Sequence, residues 1–117
     1  MREFIKIRST NFDLALGNVN KNKETIKDLV KQADKDGVNI LSLPELSLTG
    51  ASLYDGYWDL AEICEDAIMD LIEFSKDYKV LFSVGFPFIY NRKIYNAIGL
   101  IINGSLTGLT TKKNLST

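Results

Sequence analysis

The side chains available for acid–base or nucleophilic chemistry form a short list in this chain of 117 residues. The sequence contains no histidine, which excludes Ser-His-Asp and Cys-His catalysis and the common zinc sites. Its single cysteine, Cys64, excludes an internal disulfide and a thiolate metal cluster. We therefore predict no metal site, and any catalysis depends on Glu, Asp, Lys, Tyr, Ser, Thr or Cys64.

Glu45 stands out among these residues because of its place in the segment Val38–Gly50. Val38–Leu43 is a short, largely apolar run, which is typical of a strand buried within a sheet. Pro44 cannot donate a ladder hydrogen bond, so the strand ends there and Glu45 follows at its mouth, where α/β proteins place active sites. Burying an unpaired carboxylate costs roughly several kcal/mol, so we expect a dry Glu45 with a partner. The alternative is a solvated glutamate that begins a loop.

Hydrophobic periodicity predicts the elements that position Glu45. A period of 3.6 residues predicts a helix over Lys21–Asp36, with Asn20 or Asn22 as its N-cap and Gly37 as a left-handed stop. Strands directly before and after this helix form a βαβ unit, whose strands pair in parallel. The predicted elements, in chain order, are a strand over Phe4–Ser9, the helix, a strand over Val38–Leu43, a helix from Asp59 to about Tyr78, a strand over Lys79–Gly85, and the antiparallel strands Ile94–Ile102 and Leu106–Thr110 around Asn103-Gly104.

Two helices can cover only one face of such a sheet. Strand side chains alternate between the faces, so the apolar strand residues cannot all turn toward the helices. The sequence therefore predicts an uncovered apolar face, which is typical of a surface that packs against a second sheet or another copy of the chain.

The composition argues against nucleic-acid and membrane partners. The chain is 45% apolar and 25% charged with a net charge of -1, and its lysines and arginines form no stripe or cluster. No apolar stretch is long enough to cross a bilayer, and the N-terminus lacks the apolar core of a signal peptide. We predict one domain over residues 1–117 and a cytoplasmic location.

Several short motifs, in order along the chain, resemble the nitrilase, or carbon–nitrogen hydrolase, superfamily. They are Asn22-Lys-Glu-Thr-Ile26, Leu43-Pro-Glu-Leu46 with Thr49-Gly50, Val84-Gly-Phe-Pro87, Tyr95-Asn-Ala97, Asn103-Gly104, and Gly108 to Leu115. Within the superfamily, the stretch from Glu45 to Gly50 followed by Asp55 is most similar to the glutaminase domain of glutamine-dependent NAD synthetases, in its N-terminal part. The resemblance implies the α/β class and a partial nitrilase-type α-β-β-α sandwich, and the element order that we predict from the chain is β-α-β-α-β-β.

The resemblance also implies amide hydrolysis by a Glu-Lys-Cys triad. In such a triad a thiolate attacks the amide, a carboxylate moves the thiol proton to the departing amine, and a cation holds the oxyanion. Glu45 matches the family's base, and Lys112 matches its lysine by the spacing to Leu115. The alternative for Lys112 is a solvated surface lysine. Tyr54 and Asp55 are candidates for substrate binding, with packing over the domain edge and a local Asp turn as their alternatives.

The triad's cysteine has no counterpart in these 117 residues. Cys64 lies on the apolar stripe of the second predicted helix, where a free cysteine behaves as a small buried hydrophobe. We therefore expect this chain alone to be inactive. Near the lysine, Thr111 and Asn114 replace the family's usual Pro and Tyr.

The implied substrate of the parent enzyme is glutamine or a similar small amide. The implied partner is a synthetase domain that receives the ammonia and uses ATP to amidate an adenylated nicotinic-acid dinucleotide, and no cofactor is implied for the amidase part. Two alternatives stay open: a non-catalytic module that forms a homo-oligomer through its open apolar face, and an amidase or carbamoylase that acts on another small amide. A nucleotide-binding domain is disfavoured, because no glycine-rich phosphate loop follows a strand.

Overall fold

In a computed structural model, the chain forms a five-stranded sheet with helices packed on it. The structure describes residues 4–49 and 58–113, and of these the side chains of all but 58–60 and 112–113. The elements are β1 (Ile7–Ser9), α1 (Val19–Lys35), β2 (Ile40–Ser42), α2 (Trp58–Phe74), β3 (Leu81–Tyr90), β4 (Lys93–Ile102) and β5 (Ser105–Lys113), with a 3-10 turn at Ser75–Asp77 after α2. This is the α/β class that the sequence predicts.

The strands lie side by side in their chain order, from β1 to β5. β1, β2 and β3 pair in parallel, which confirms the predicted βαβ pairing, and β3, β4 and β5 pair antiparallel. The predicted order β-α-β-α-β-β is one strand short, although the three strands predicted after the second helix correspond to β3, β4 and β5. β3 runs past its predicted end at Gly85 to Tyr90, through Gly85 and Pro87, two residue types that strand interiors usually avoid.

The two ends of α1 differ in how well the local sequence predicts them. Gly37 has φ 75°, which confirms the predicted left-handed stop. The predicted N-cap was wrong: the side chain of Asn18 accepts the N–H of Lys21, whereas Asn22 is buried. Neither helix in the described part of the chain is long and apolar enough to span a bilayer.

The core lies between the helices and one face of the sheet. Phe82, Val84 and Ile101 on the strands are fully buried there, together with Ile26 of α1 and Leu71 of α2. Side chains that alternate with them point to the other face, where Ile98 and Leu100 are 42% and 38% exposed. The structure thus confirms the predicted open apolar face. The Glu45 segment lies at the end of β2, beside this face.

Candidate functional site

The segment that carries Glu45 follows β2, at the point where the strand pairing ends. Leu43 is the first residue beyond the strand, and its N–H donates to Oγ of Ser83 on β3 at 3.0 Å. Pro44 has no N–H to donate, so the ladder cannot extend further in the ordinary way. Residues 45–49 instead form a series of turns, which we call the Glu45 turn.

The Glu45 turn is bound to β3 at Gly85. The N–H of Leu48 donates to the carbonyl of Gly85 at 3.0 Å, and the N–H of Gly85 donates to Oγ of Ser47 at 3.0 Å. A Cβ at position 85 would overlap the backbone nitrogen of Leu46, and it would lie 2.9 Å from the Leu46 Cα. Gly85 is therefore required for the close approach of the Glu45 turn to the sheet.

Leu46, directly after Glu45, has a left-handed backbone conformation with φ 53°. For a residue with a Cβ, this conformation costs on the order of 1–3 kcal/mol and persists only when the surrounding contacts enforce it. Such residues cluster at active sites and ligand clamps. The strain at Leu46 supports a functional interpretation of the Glu45 turn.

Glu45 lines a cleft with Asn96, Ile98, Thr110 and Thr111, and the cleft has a volume of about 110 Å³. These partners come from β4 and β5, where Ile98 pairs with Thr110 across the two strands. Because directly opposed residues of antiparallel strands point to the same face, the cleft lies on the open face of the sheet. The Glu45 carboxylate, the Asn96 amide and the Thr110 hydroxyl thus line the cleft together with the apolar side chain of Ile98.

Glu45 is exposed in this cleft, so the expectation of a dry carboxylate was wrong for this chain. The reason is its position on the open face, where water reaches the carboxylate. The expected position of Glu45 just after the end of a strand is confirmed, and the cleft beside it is a finding of the structure.

The remaining predicted site residues are described only in part. The backbone of Lys112 is in β5, opposite Asn96 of the cleft wall, and its side chain lies outside the described atoms. Tyr54 and Asp55 also lie outside the described residues. Their roles stay predictions.

Cys64 lies on α2 with no exposed surface. Burial, followed by the negative charge of Glu65, raises the pKa of its thiol to about 12. The reactive thiolate is therefore scarce at neutral pH, which agrees with a structural role. Within residues 4–49 and 58–113, no group of three Asp, Glu or Cys side chains is placed to hold a metal ion.

Sequence reasoning missed the parts of the site that depend on tertiary contact. It did not assign Thr110 and Thr111 to the cleft. Threonine is common on strands, so its presence there does not indicate a functional site. It also missed the buried role of Asn22. The available signal was an asparagine inside the first turns of a helix, where that residue type is unfavourable unless its side chain has a partner.

Comparison with known proteins gives a consistent result. A family model described as carbon-nitrogen hydrolase matches residues 10–116. A glutamine-dependent NAD(+) synthetase from Mycobacterium leprae is 29% identical over 116 residues, which is 97% of this chain but 17% of the relative. The chain thus spans less than a fifth of that relative's length.

Solved structures are similar to the fold described above. The crystal structure of a glutamine-dependent NAD(+) synthetase from Cytophaga hutchinsonii matches with a TM-score of 0.77 and 28% identity, over 97% of this chain and 20% of that one. The NitN amidase from Neterenkonia sp. AN1 matches with a TM-score of 0.79 and 18% identity, over 97% of this chain and 46% of that one. At 18% identity the second match supports the fold alone.

Proposed function

Because the chain belongs to the carbon–nitrogen hydrolase family, we propose that it contributes the general base and the oxyanion-holding cation of a glutamine amidohydrolase site. The observation that best supports this proposal is the cleft that Glu45 shares with β4 and β5. Lys112 is the β5 residue that pairs with Asn96 in the wall of this cleft. The proposed base therefore lines the cleft whose Asn96 pairs with the backbone of the proposed cation.

In the proposed reaction, Glu45 accepts the proton of a cysteine thiol supplied by a part of the parent enzyme outside these 117 residues. The thiolate attacks the side-chain amide carbon of glutamine, and the Lys112 ammonium stabilises the oxyanion that forms. Glu45 then returns the proton to the departing nitrogen, so that ammonia leaves and a thioester remains. Water, activated by the same carboxylate, hydrolyses the thioester to glutamate and restores the thiol.

Glutamine is the proposed substrate because two similar proteins are named glutamine-dependent NAD(+) synthetases. In this proposal Tyr54 and Asp55 contact the substrate, and the Asp55 carboxylate binds its ammonium group. The proposed partner is a synthetase domain that uses the ammonia in an ATP-dependent step of NAD synthesis. The proposed location is the cytoplasm.

A fusion protein tests this function directly. Residues 1–117 replace the matched 116 residues of the Mycobacterium leprae relative, and ammonia release from glutamine is measured. We expect the fusion to release ammonia and the chain alone to release none above background. A fusion that is folded by circular dichroism and gel filtration, yet inactive beside the active relative, would contradict the proposal.

The two adjacent lysines provide a matched pair for the oxyanion-holding role. In the fusion, Lys112→Met should lower kcat by roughly 10²–10³, the usual effect of removing one oxyanion-stabilising group. Lys113→Met removes the same charge and should change kcat by less than about twofold, since in this proposal Lys113 contacts no reacting atom. Equal losses in the two variants would argue against a specific role for Lys112.

A second function, self-association without catalysis, is favoured by the exposed Ile98 and Leu100 on the open face. It predicts that the isolated chain forms a homo-oligomer at micromolar concentration. Static light scattering measures the mass, and Leu100→Thr, which keeps strand propensity while removing apolar surface, should weaken the association. A monomer at all concentrations would exclude this function.

A further inference from the structure

Asn22 is a buried polar residue on α1, with 1% of its surface exposed. Its side-chain amide makes three hydrogen bonds: Oδ1 accepts from the N–H of Ala15 at 2.8 Å, and Nδ2 donates to the carbonyls of Ala15 at 2.8 Å and Leu48 at 2.9 Å. An asparagine side chain carries one acceptor and two donors on one amide, so it can satisfy all three backbone groups together. Aspartate lacks the donors, and leucine lacks both kinds of group.

The bond from Asn22 to Leu48 ends in the Glu45 turn. The N–H of Leu48 donates to Gly85 on β3 while its carbonyl accepts from Asn22, so this residue is held from both sides. A second bond from the α1 side, from the N–H of Gly17 to the carbonyl of Thr49 at 2.7 Å, reinforces the contact. The strained Leu46 lies between Glu45 and this clamped residue.

These contacts add to the hydrogen bond inside the turn, in which the N–H of Thr49 donates to the carbonyl of Leu46 at 3.2 Å. A left-handed leucine relaxes unless its neighbours are fixed. β3 fixes one edge of the turn through Gly85, and α1 fixes the other edge through Asn22. If the α1 contact is lost, Leu46 can return to an unstrained conformation, and the adjoining Glu45 then moves relative to the cleft.

We propose that Asn22 is a positioning residue for Glu45, acting through Leu48 to hold the carboxylate at the cleft of β4 and β5. The catalytic consequence depends on the proposed function, whereas the effect on the conformation of the turn does not. The experiment therefore has two independent parts.

The first part measures amide hydrogen exchange by NMR in the chain itself. In Asn22→Ala, the amides of Leu48 and Thr49 should exchange at least about tenfold faster relative to the amides of β4, because the turn loses a hydrogen bond on its α1 side. Alanine favours helix and leaves room for water, so this variant keeps α1. Asn22→Asp, which retains the acceptor for Ala15, should give the same relative change.

Ser75→Ala is the matched control. Ser75 is also fully buried, and its hydroxyl donates to Ile72 at 2.7 Å and accepts from the N–H of Gly104 at 2.7 Å, away from the Glu45 turn. Loss of the Ser75 hydroxyl should speed amide exchange, but without a selective increase at Leu48 and Thr49. Unchanged relative exchange at Leu48 in both Asn22 variants would overturn the positioning role, whatever the enzyme assay gives.

The second part measures turnover in the active fusion. Asn22→Ala should lower kcat on the order of tenfold or more, with KM within about twofold, because a misplaced base affects the transition state more than ground-state binding. Ser75→Ala should leave kcat within about twofold. Normal turnover by Asn22→Ala in an active fusion would contradict the link to Glu45, whereas an inactive parent fusion contradicts the proposed function and leaves the exchange result to decide the positioning role.

Discussion

The two faces of the strands β3 and β4 differ in what covers them. On the helix-covered face, Phe82 and Ile101 are opposite each other and have no exposed surface. On the open face, Leu100 is opposite Ser83, and Ile98 forms part of the cleft with Glu45. Neighbouring residues of one strand therefore belong to different environments.

The contrast separates the residues that stabilise the fold from those that are available for chemistry. Full burial of a large apolar side chain contributes about 1.5–3 kcal/mol, so the helix-covered face accounts for much of the stability. The open face buries less, and it leaves a polar cleft beside a strained turn. Substitutions on the two faces should consequently have different effects.

The largest expected difference is between Phe82→Ala and Leu100→Ala. Phe82→Ala should lower the free energy of unfolding by about 3–5 kcal/mol, because it opens a cavity in the core. Leu100→Ala, on the exposed side of the adjacent strand, should lower it by about 1 kcal/mol or less. Urea denaturation followed by circular dichroism measures both. Equal losses would show that the open face is covered in solution.

The next difference is between two strand glycines that face opposite sides. Gly85→Ala should cost about 1–3 kcal/mol, since its methyl group meets the backbone of Leu46, which cannot move without displacing the Glu45 turn. Gly99→Ala should cost less, because its methyl group would meet the end of the flexible Leu106 side chain at 2.9 Å. Thermal unfolding compares the two, and a greater loss in Gly99→Ala would contradict the assigned role of Gly85.

The smallest expected change in stability comes from the ion pairs between α1 and α2, on the covered side of the sheet. Asp70 contacts Nζ of Lys23 and Nζ of Lys27, each at 2.8 Å, and these bonds lower the pKa of its carboxyl below the ordinary 3.8. Such a group stabilises the fold above its unfolded pKa, and the contribution disappears as the pH falls through the lower, folded value. Asp70→Asn should therefore cost about 0.5 kcal/mol at neutral pH, because the pair is partly exposed.

The pH dependence provides the check on that prediction. The difference in free energy of unfolding between the parent chain and Asp70→Asn should shrink toward zero as the pH drops below 3.8. A difference that grows on acidification would contradict the sign of the shift.

Local sequence patterns were sufficient to predict much of the fold and the position of Glu45 after β2. They did not predict which residues of β5 line the cleft. The βαβ unit, the stop at Gly37 and the Asn103-Gly104 hairpin depend on periodicity and on positive-φ residues, which sequence reveals directly. The passage of β3 through Gly85 and Pro87 was not predictable in this way, because it depends on the pairing partner in β4. The exposure of Glu45 to water was not predictable either, because it depends on which face of the sheet the helices cover.

The central claim is that Glu45 acts as the base of the proposed amidohydrolase, and turnover of glutamine by the fusion tests it most directly. Glu45→Gln keeps the size of the side chain and removes its basicity, so ammonia release should fall by at least about 10². Glu62→Gln, the same change at an exposed glutamate on α2, should leave ammonia release within about twofold of the parent fusion. If the Glu45→Gln fusion releases ammonia at the parent rate, Glu45 is not the base.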